Sequence, residues 1–251
     1  MLNKNKIHIG VVGASGKVGK ELVKLITQIP SELYCTGFVS ENSTALSTDA
    51  TSTNHRVLAI SDPELLRCDV IIDFSTAEST MELLNIISDC PIPLVVGTTG
   101  FSEQNQHMLN EEGNTRPCLV GANFTLGFEV FLSSALTMLN SLPESQVTVA
   151  EVYNQHKKPV ASGTTQRLVN TFLTVVDGNG NEREINQDIQ RIGDTAGVNT
   201  VRLELGFATY EMTLTVHSRQ AYAAGALKAA RWLIDQPYGS YVPKDMLKQT
   251  N

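Results

Sequence analysis

The stretch that most limits the fold lies near the amino terminus, where an apolar run ends in regularly spaced glycines. Residues 7–12, IHIGVV, are typical of a buried strand, and GASGKVG follows with Gly13, Gly16 and Gly19. Residues 20–29 then carry Leu and Ile at helical spacing. Such glycines allow a tight turn and let the backbone approach a pyrophosphate at the start of the helix. The pattern predicts a dinucleotide-binding turn, and a glycine turn needed only for packing is the alternative.

The rest of the first half repeats this alternation of strand and helix. Apolar runs at 33–39, 70–74, 94–97 and 119–122 read as further strands. Repeated strand–helix units form a parallel sheet, so we expect an α/β fold with a Rossmann-type, doubly wound sheet. The polar segment 40–56, rich in Ser, Thr and Asn, is interpreted as an excursion after the second strand.

After about residue 145 the pattern changes. Residues 146–152 are strand-like, 164–176 are helix-like, and 200–205 and 210–217 alternate as in a half-exposed antiparallel sheet. A last helical pattern begins at residue 223. We therefore expect two domains: residues 1–123, completed by a C-terminal helix at 223–251, and an α+β domain at 124–222.

The composition limits the classes of ligand that the protein is expected to bind. The net charge of −7 lacks the positive footprint of a protein that binds nucleic acid or an anionic membrane, which favours a small molecule. The four cysteines show no CxxC pairing and no His at ligand spacing, so we expect reduced thiols and no metal site. The first residues contain no long apolar stretch, which argues against a signal peptide and, with the thiols, for a cytoplasmic protein.

An acidic residue after the second strand bears on the choice of dinucleotide. Glu41 stands near the place where a carboxylate would bond the ribose hydroxyls and repel a 2′-phosphate, which favours NADH. The excursion that follows can deliver Arg56, so NADPH stays open. A solvated loop carboxylate without a ligand role is the third interpretation.

A series of motifs then extends along almost the whole chain. In order these are GASGKVG, Asp73-Phe74-Ser75, VVGTTGF at 95–101, Ala122-Asn123-Phe124-Thr125, Lys157 with Ser162-Gly163-Thr164, Arg191-Ile-Gly193, and GALKAARWL. Each block alone is common, whereas the ordered series is specific. Over about residues 6–237 the chain resembles 4-hydroxy-tetrahydrodipicolinate reductase, the dihydrodipicolinate reductase family of lysine and diaminopimelate biosynthesis.

The resemblance implies an oxidoreductase that reduces a small, anionic cyclic imine with NADH or NADPH. It also implies that the second domain binds substrate and forms a homotetramer. The residues it assigns to the dinucleotide are Gly13, Ala14, Ser15, Gly16, Lys17, Val18, Phe74, Gly97, Thr98, Thr99, Ala122, Asn123, Phe124 and Thr125.

The chain departs from the family in the loop that the resemblance assigns to substrate. Where the family has two adjacent histidines, this sequence has Tyr153 and Asn154, and a later histidine position holds Asn199. The family's Asp-Ala-Pro is replaced by residues 159–161, Pro-Val-Ala. The resemblance makes Lys157 and position 153 the acid/base candidates and gives Asn154 a place beside the substrate.

The chemistry of the residues in this loop indicates which functions are retained despite the substitutions. Ser162, Gly163 and Thr164 at the entry to a helix form a carboxylate nest that needs no histidine. Lys157 can neutralise that carboxylate, or donate a proton where burial or a cation lowers its pKa; a solvated lysine is the alternative. Tyr153 is a neutral donor near pH 7 that can deliver a proton but cannot change charge as histidine does.

Two functional classes remain open. The first is a reductase of a C=N bond or conjugated imine in a small carboxylate, with a related compound favoured slightly over the lysine-pathway intermediate because the changes touch only the substrate end. The second is a non-catalytic dinucleotide-binding sensor or assembly protein. A dehydrogenase of sugars or hydroxy acids is weaker, since no Ser/Tyr/Lys or His/Asp/Arg constellation appears in the usual order.

Overall fold

The computed structural model describes residues 6–46 and 55–249. The chain divides into two compact units. The first contains the chain up to Phe124 and the segment from Tyr222 onward, and the second is Thr125–Ala221. Among the described residues, no helix combines the length and the apolarity needed to cross a bilayer.

Eleven strands and six α-helices make up the described chain. The elements up to residue 120 are β1 Ile7–Val12, α1 Lys17–Thr27, β2 Leu33–Val39, β3 His55–Ala59, β4 Val70–Asp73, α2 Ala77–Ile86, β5 Leu94–Val96, α3 Glu103–Glu111 and β6 Pro117–Val120. They are followed by α4 Phe128–Ser141, β7 Gln146–Tyr153, α5 Gly163–Phe172, β8 Ile185–Arg191, β9 Gly197–Leu205, β10 Ala208–Val216, α6 Gln220–Leu233 and β11 Gly239–Tyr241. Short 3-10 helices lie at Pro63–Arg67, Glu112–Asn114 and Pro243–Gln249.

The first unit is built on a parallel sheet of seven strands in the order β11-β6-β5-β4-β1-β2-β3. Both faces of the sheet are covered. Ile9 and Val11 of β1 enter one apolar cluster and Val12 enters another, and neighbouring Ile71 and Ile72 of β4 divide in the same way. Parallel strands buried on both faces are typical of a Rossmann-type fold, and the predicted fold class is confirmed.

The C-terminal segment differs from the predicted single helix. Helix α6 ends at Leu233, β11 then extends the sheet beside β6, and a 3-10 helix follows. Helix α6 is alanine-rich on its buried face and belongs to the same apolar cluster as Ile9. At Gly225 a Cβ atom would lie 1.6 Å from the carbonyl oxygen of Phe124, so the glycine lets the helix contact the backbone after β6.

The second unit contains a mixed sheet of four strands in the order β10-β9-β7-β8. The antiparallel pairing predicted near the end of the chain is found between β9 and β10, and β9 is also antiparallel to β7. The parallel strand β8 was absent from the sequence prediction because only Ile185 and Ile189 interrupt its polar residues. Residues of β7, β9, α4 and α5 share an apolar core that includes Phe128, Phe172 and Val201.

One fully buried cation stabilises the first unit. Arg116 is 1% exposed and donates to the Glu112 carboxylate at 2.7 Å, to the Cys90 carbonyl at 2.7 Å and to the Ile87 carbonyl at 3.0 Å. These bonds join the start of β6 to the end of α2. A buried charge that keeps its hydrogen bonds is tolerated, whereas removing it leaves its acceptors unpaired.

We expect Arg116→Ala to lower the free energy of unfolding by about 3 kcal/mol, because buried acceptors lose their donor. The matched control is Arg231→Ala, whose side chain is 45% exposed and pairs with Glu32. That exposed pair is worth about 1 kcal/mol or less. Urea denaturation followed by circular dichroism measures both, and equal losses in the two variants would contradict the structural role given to Arg116.

Candidate active site

Close backbone contacts form the glycine turn after β1. Gly13 has φ of +77°, and a Cβ atom there would lie 2.5 Å from the Phe74 carbonyl oxygen. At Gly19 a Cβ atom would lie 2.1 Å from the Gly13 carbonyl oxygen. Gly16 is the N-cap of α1 and, being glycine, has no side chain to cap the helix. The first-turn amides therefore receive no cap from this residue, as in sites where a phosphate takes that place.

A cavity of about 270 Å³ lies beside this turn. Its lining comes from the carboxyl ends of three parallel strands: Gly13, Ser15 and Gly16 after β1, Val39, Ser40 and Ser43 at the end of β2, and Phe74, Ser75, Thr76 and Ser79 after β4. Ligands of open α/β sheets bind at this edge. The glycines let the loops after β1 and β4 pack closely beside this cavity, whose hydroxyl-rich lining and place at the edge of the sheet fit a dinucleotide.

Ser15 of this cavity was predicted from the sequence, whereas the hydroxyls contributed after β2 were not. Ser40 and Ser43 line it, whereas Glu41 is exposed and accepts a hydrogen bond from the Ser61 hydroxyl. Arg56 is exposed on β3. The signal that would have found the serines is their position directly after β2.

A buried carboxylate joins the loops after β4 and β5. Asp73 is fully buried and accepts from the Ser75 amide at 2.9 Å, the Ser75 hydroxyl at 2.5 Å and the Thr80 hydroxyl at 2.5 Å. The Ser75 amide also donates to the Thr98 hydroxyl at 3.0 Å. Burial raises the pKa of Asp73, and the hydrogen bonds from these hydroxyls and the amide oppose that rise.

This junction brings predicted dinucleotide residues together. A Cβ atom on Gly97 would lie 2.3 Å from the Phe74 ring, and the Phe74 and Phe124 rings meet edge to face with centroids 5.7 Å apart. The structure places the other predicted residues as follows: Ala14, Thr98 and Asn123 are buried, Val18, Ala122 and Thr125 are half-buried, and Ser15, Lys17 and Thr99 are exposed. Thr125 belongs to the second unit and the others to the first.

In the second unit, a fully buried carboxylate lies at the centre of the residues predicted to bind substrate. Glu151 of β7 accepts from the Ser162 amide at 3.1 Å, from the Thr165 hydroxyl, and from the Arg191 guanidinium at 2.7 Å. Burial raises the pKa of Glu151, but the bonds from Ser162, Thr165 and Arg191 outweigh it and hold the pKa below its usual value. The carboxylate is therefore ionised near neutral pH.

A directional chain of hydrogen bonds runs from Tyr153 to this carboxylate. The Tyr153 hydroxyl, in a side chain only 5% exposed, donates to Asn199 Oδ1 at 3.1 Å. Asn199 Nδ2 donates to Thr165 Oγ1 at 3.3 Å, and Thr165 donates to Glu151. Tyr153 and Asn199, which stand where the resembled family has histidines, are thus bonded to each other. Because the proton of the Tyr153 hydroxyl points to Asn199, the oxygen of Tyr153 is left as an acceptor.

Lys157 lies over the Tyr153 ring, with Nζ 3.9 Å from the ring centroid. Burial lowers the pKa of Lys157 from its usual value, the Arg191 cation lowers it further, and the Glu151 carboxylate opposes both effects. The ammonium is therefore a stronger acid than that of a solvated lysine. The side chain of Lys157 is half-buried, and its role as a proton donor stays a prediction.

The remaining predicted residues shape the turn and the helix that follow. Asn154 is buried, and its Oδ1 accepts from the His156 amide at 3.2 Å, while the His156 side chain is exposed. Ser162 caps α5 by accepting from the Thr165 amide at 3.2 Å, and Gly163 and Thr164 form the first turn. Thr165 and Arg191 were given no role from the sequence, because their convergence on Glu151 depends on strand pairing.

Within residues 6–46 and 55–249, no group of three or more His, Cys, Asp or Glu side chains is arranged to hold a metal ion. The candidate site combines a nucleotide cradle, hydroxyl groups and a lysine of lowered pKa. These features define a class, the NAD(P)-dependent oxidoreductases.

Comparison with known families supplies the narrower assignment. The family description "Dihydrodipicolinate reductase, N-terminus" matches residues 7–124, and "Dihydrodipicolinate reductase, C-terminus" matches residues 127–247. The chain belongs to the dihydrodipicolinate reductase family, whose members use NAD(P)H through a dinucleotide-binding domain and act on a C=N bond.

Individual relatives agree with this assignment. The 4-hydroxy-tetrahydrodipicolinate reductase of Helicobacter hepaticus is 31% identical, covering 96% of this chain and 99% of the relative. That of Wolinella succinogenes is 32% identical, covering 96% and 98%. A dipicolinate-bound dihydrodipicolinate reductase structure from Paenisporosarcina has a TM-score of 0.71 at 17% identity, covering 94% of this chain and 97% of that one, and shows the shared fold.

Proposed function

We propose that this chain reduces the C=N bond of a small cyclic imine carboxylate with NAD(P)H, and that Lys157 supplies the proton. The observation that carries the proposal is the position of the Lys157 ammonium, half-buried over the Tyr153 ring and lowered in pKa by burial and by Arg191. The names of its relatives support the same reaction type.

The dinucleotide would be held by the glycine turn, the hydroxyls of Ser40 and Ser43, and the loops after β4 and β5. Thr98, Thr99 and Phe124 are the residues we assign to its nicotinamide end. When bound, reduced nicotinamide supplies a hydride.

The substrate carboxylate is assigned to the first turn of α5, at Ser162, Gly163 and Thr164. Amides at the start of a helix favour an anion. Asn154 lies in the turn before Lys157, whose backbone amide donates to the Asn154 carbonyl at 3.0 Å. Tyr153 contacts Lys157 through its ring and offers its oxygen as an acceptor, so we assign the proton transfer itself to Lys157.

We carry the homotetramer over from the family in the same way. The supporting observation is the edge strand β10, near which Phe207 is fully exposed and Tyr210 is 45% exposed. Exposed aromatic side chains beside an unpaired strand edge favour association between copies of a chain.

Replacing Lys157 with Ala should lower kcat by about 10²- to 10⁴-fold, the usual contribution of a positioned acid. In the parent protein the rate should fall as the pH rises through the pKa of Lys157, and this alkaline limb should lie below the usual lysine value because the pKa is lowered. The measurement is NADH oxidation at 340 nm with a cyclic imine dicarboxylate. Lys158→Ala, an exposed neighbour, is the control. A Lys157→Ala rate within threefold of the parent would remove Lys157 from the chemistry.

We further propose that the substrate is a relative of the lysine-pathway imine rather than that compound, since Tyr153 and Asn199 replace two family histidines as a bonded pair. The parent protein should then give its highest kcat/KM with another member of a panel of cyclic imine carboxylates. The double change Tyr153→His and Asn199→His should shift the ratio of kcat/KM for the lysine-pathway imine to kcat/KM for the preferred imine. The shift should be at least tenfold, about 1.4 kcal/mol, toward the lysine-pathway imine. Asn186→His on exposed β8 is the control. A parent enzyme that prefers the lysine-pathway imine would contradict the proposal.

We propose that the protein prefers NADH to NADPH because of the Glu41 carboxylate, which follows β2. The Glu41 carboxylate, bonded to Ser61, places a negative charge next to Ser40 of the cavity. Glu41→Gln should therefore raise kcat/KM for NADPH about tenfold relative to NADH if that charge repels a 2′-phosphate. The comparison uses both nucleotides at fixed imine concentration, with Glu64→Gln as the control. An unchanged ratio would show that Glu41 does not select the nucleotide.

A further inference from the structure

Arg191, at the end of β8, connects the Lys157 loop to the buried carboxylate. Its Nε donates to the Lys158 carbonyl at 3.0 Å, and one terminal nitrogen donates to the Val160 carbonyl and to Glu151 Oε1, both at 2.7 Å. The other terminal nitrogen donates to the Gln190 carbonyl at 2.8 Å. The guanidinium thus binds the loop on the side that follows Lys157.

The opposite side of this loop is also tied to the segment that follows β8. The Ile192 amide donates to the Tyr153 carbonyl at 2.8 Å, and the Gln155 amide donates to the Gly193 carbonyl at 2.9 Å. Lys157 therefore lies between two sets of bonds from one short segment of chain. Backbone bonds from Ile192 and Gly193 survive a change of side chain, whereas the bonds to Lys158 and Val160 depend on the guanidinium.

Glu151 fixes the guanidinium in turn. Its side chain is 0% exposed, against 11% for Arg191, and it also accepts from Ser162 and Thr165 at the start of α5. One carboxylate therefore sets the position of Arg191 relative to the helix turn that we assign to the substrate. A planar guanidinium can hold one carboxylate and two carbonyls together, and an ammonium cannot reproduce that fork.

Among the residues that the structure describes, three charged or titratable groups act on Lys157 or contact it. Glu151 and Tyr153 face it from β7, and Arg191 faces it from β8. The Arg191 guanidinium carbon is 5.9 Å from the Tyr153 ring centroid on which Lys157 lies. Removing Arg191 would take away a cation as well as the bonds to the loop.

We propose that Arg191 is a positioning residue for the reductase: by binding the carbonyls of Lys158 and Val160 while held by Glu151, it keeps the Lys157 ammonium over Tyr153. The inference rests on the proposed role of Lys157 as proton donor. Arg191 is not assigned to the substrate or to the nucleotide.

The test compares Arg191→Ala and Arg191→Lys with Arg202→Ala, which removes an exposed arginine paired with Glu211 in the same sheet. Both Arg191 variants should lose about 10²-fold in kcat, the cost typical of a misplaced catalytic group, with an unchanged KM for NADH. In Arg191→Ala the alkaline limb of the rate should move upward in pH, since a cation that lowers the Lys157 pKa is gone, whereas Arg191→Lys keeps a cation and should show a smaller shift. Added guanidinium ion at millimolar concentration should restore several-fold activity to Arg191→Ala, and should not change Arg202→Ala.

A double-mutant cycle separates this inference from the proposed function. With Lys157→Ala already present, Arg191→Ala should cause no further loss, because its effect acts through Lys157. Losses that multiply would overturn the positioning role, as would a folded Arg191→Lys protein with kcat within threefold of the parent. Should Arg191→Ala not fold, the kcat of Arg191→Lys decides the matter, because that variant keeps the charge and loses the hydrogen bonds to the loop. Full activity of Lys157→Ala would instead refute the assignment of Lys157, and with it this inference.

Discussion

A carboxylate that is buried away from water must be hydrogen-bonded by groups of the protein, and the second unit is organised around this requirement. Glu151 has donors from three places: the amide at the start of α5, the hydroxyl of Thr165, and the guanidinium of Arg191. An ionised carboxylate buried without such donors would cost several kcal/mol. Satisfying it draws β8, α5 and β7 to one point, and the same arginine binds the loop that follows Lys157.

The first unit depends on a different constraint, the close contact of backbones. Gly13, Gly19 and Gly97 each occupy a place where a Cβ atom would overlap a neighbouring carbonyl or ring. Their absence of side chain opens the cradle and lets the loops after β1, β4 and β5 meet. Asp73 then joins two of those loops through hydroxyl and amide donors. A nucleotide cradle built of backbone and short hydroxyl groups agrees with the family to which the chain belongs.

Much of the fold was readable from the sequence, because apolar periodicity and the glycine turn are local signals. Strands β1 and β2 lie where their apolar runs predict them, whereas three edge strands were missed. β3 overlaps the segment assigned to an excursion, β8 is mostly polar, and β11 lies in the segment assigned to a helix. Lys157 and the Ser162-Gly163-Thr164 turn were recognisable as a motif. Their connection through Arg191 and Asn199 was not, because it arises from the pairing of β7 with β8 and β9, which no local pattern encodes.

The bond between Tyr153 and Asn199 constrains how this loop can have diverged. Both groups are almost fully buried, so exchanging either one alone strands a polar atom of the other, at a cost of about 1–3 kcal/mol. A lineage changing these positions one at a time must pass through such a weakened intermediate, or change both within a background stable enough to tolerate it. Positions 153 and 199 are therefore expected to covary among related sequences.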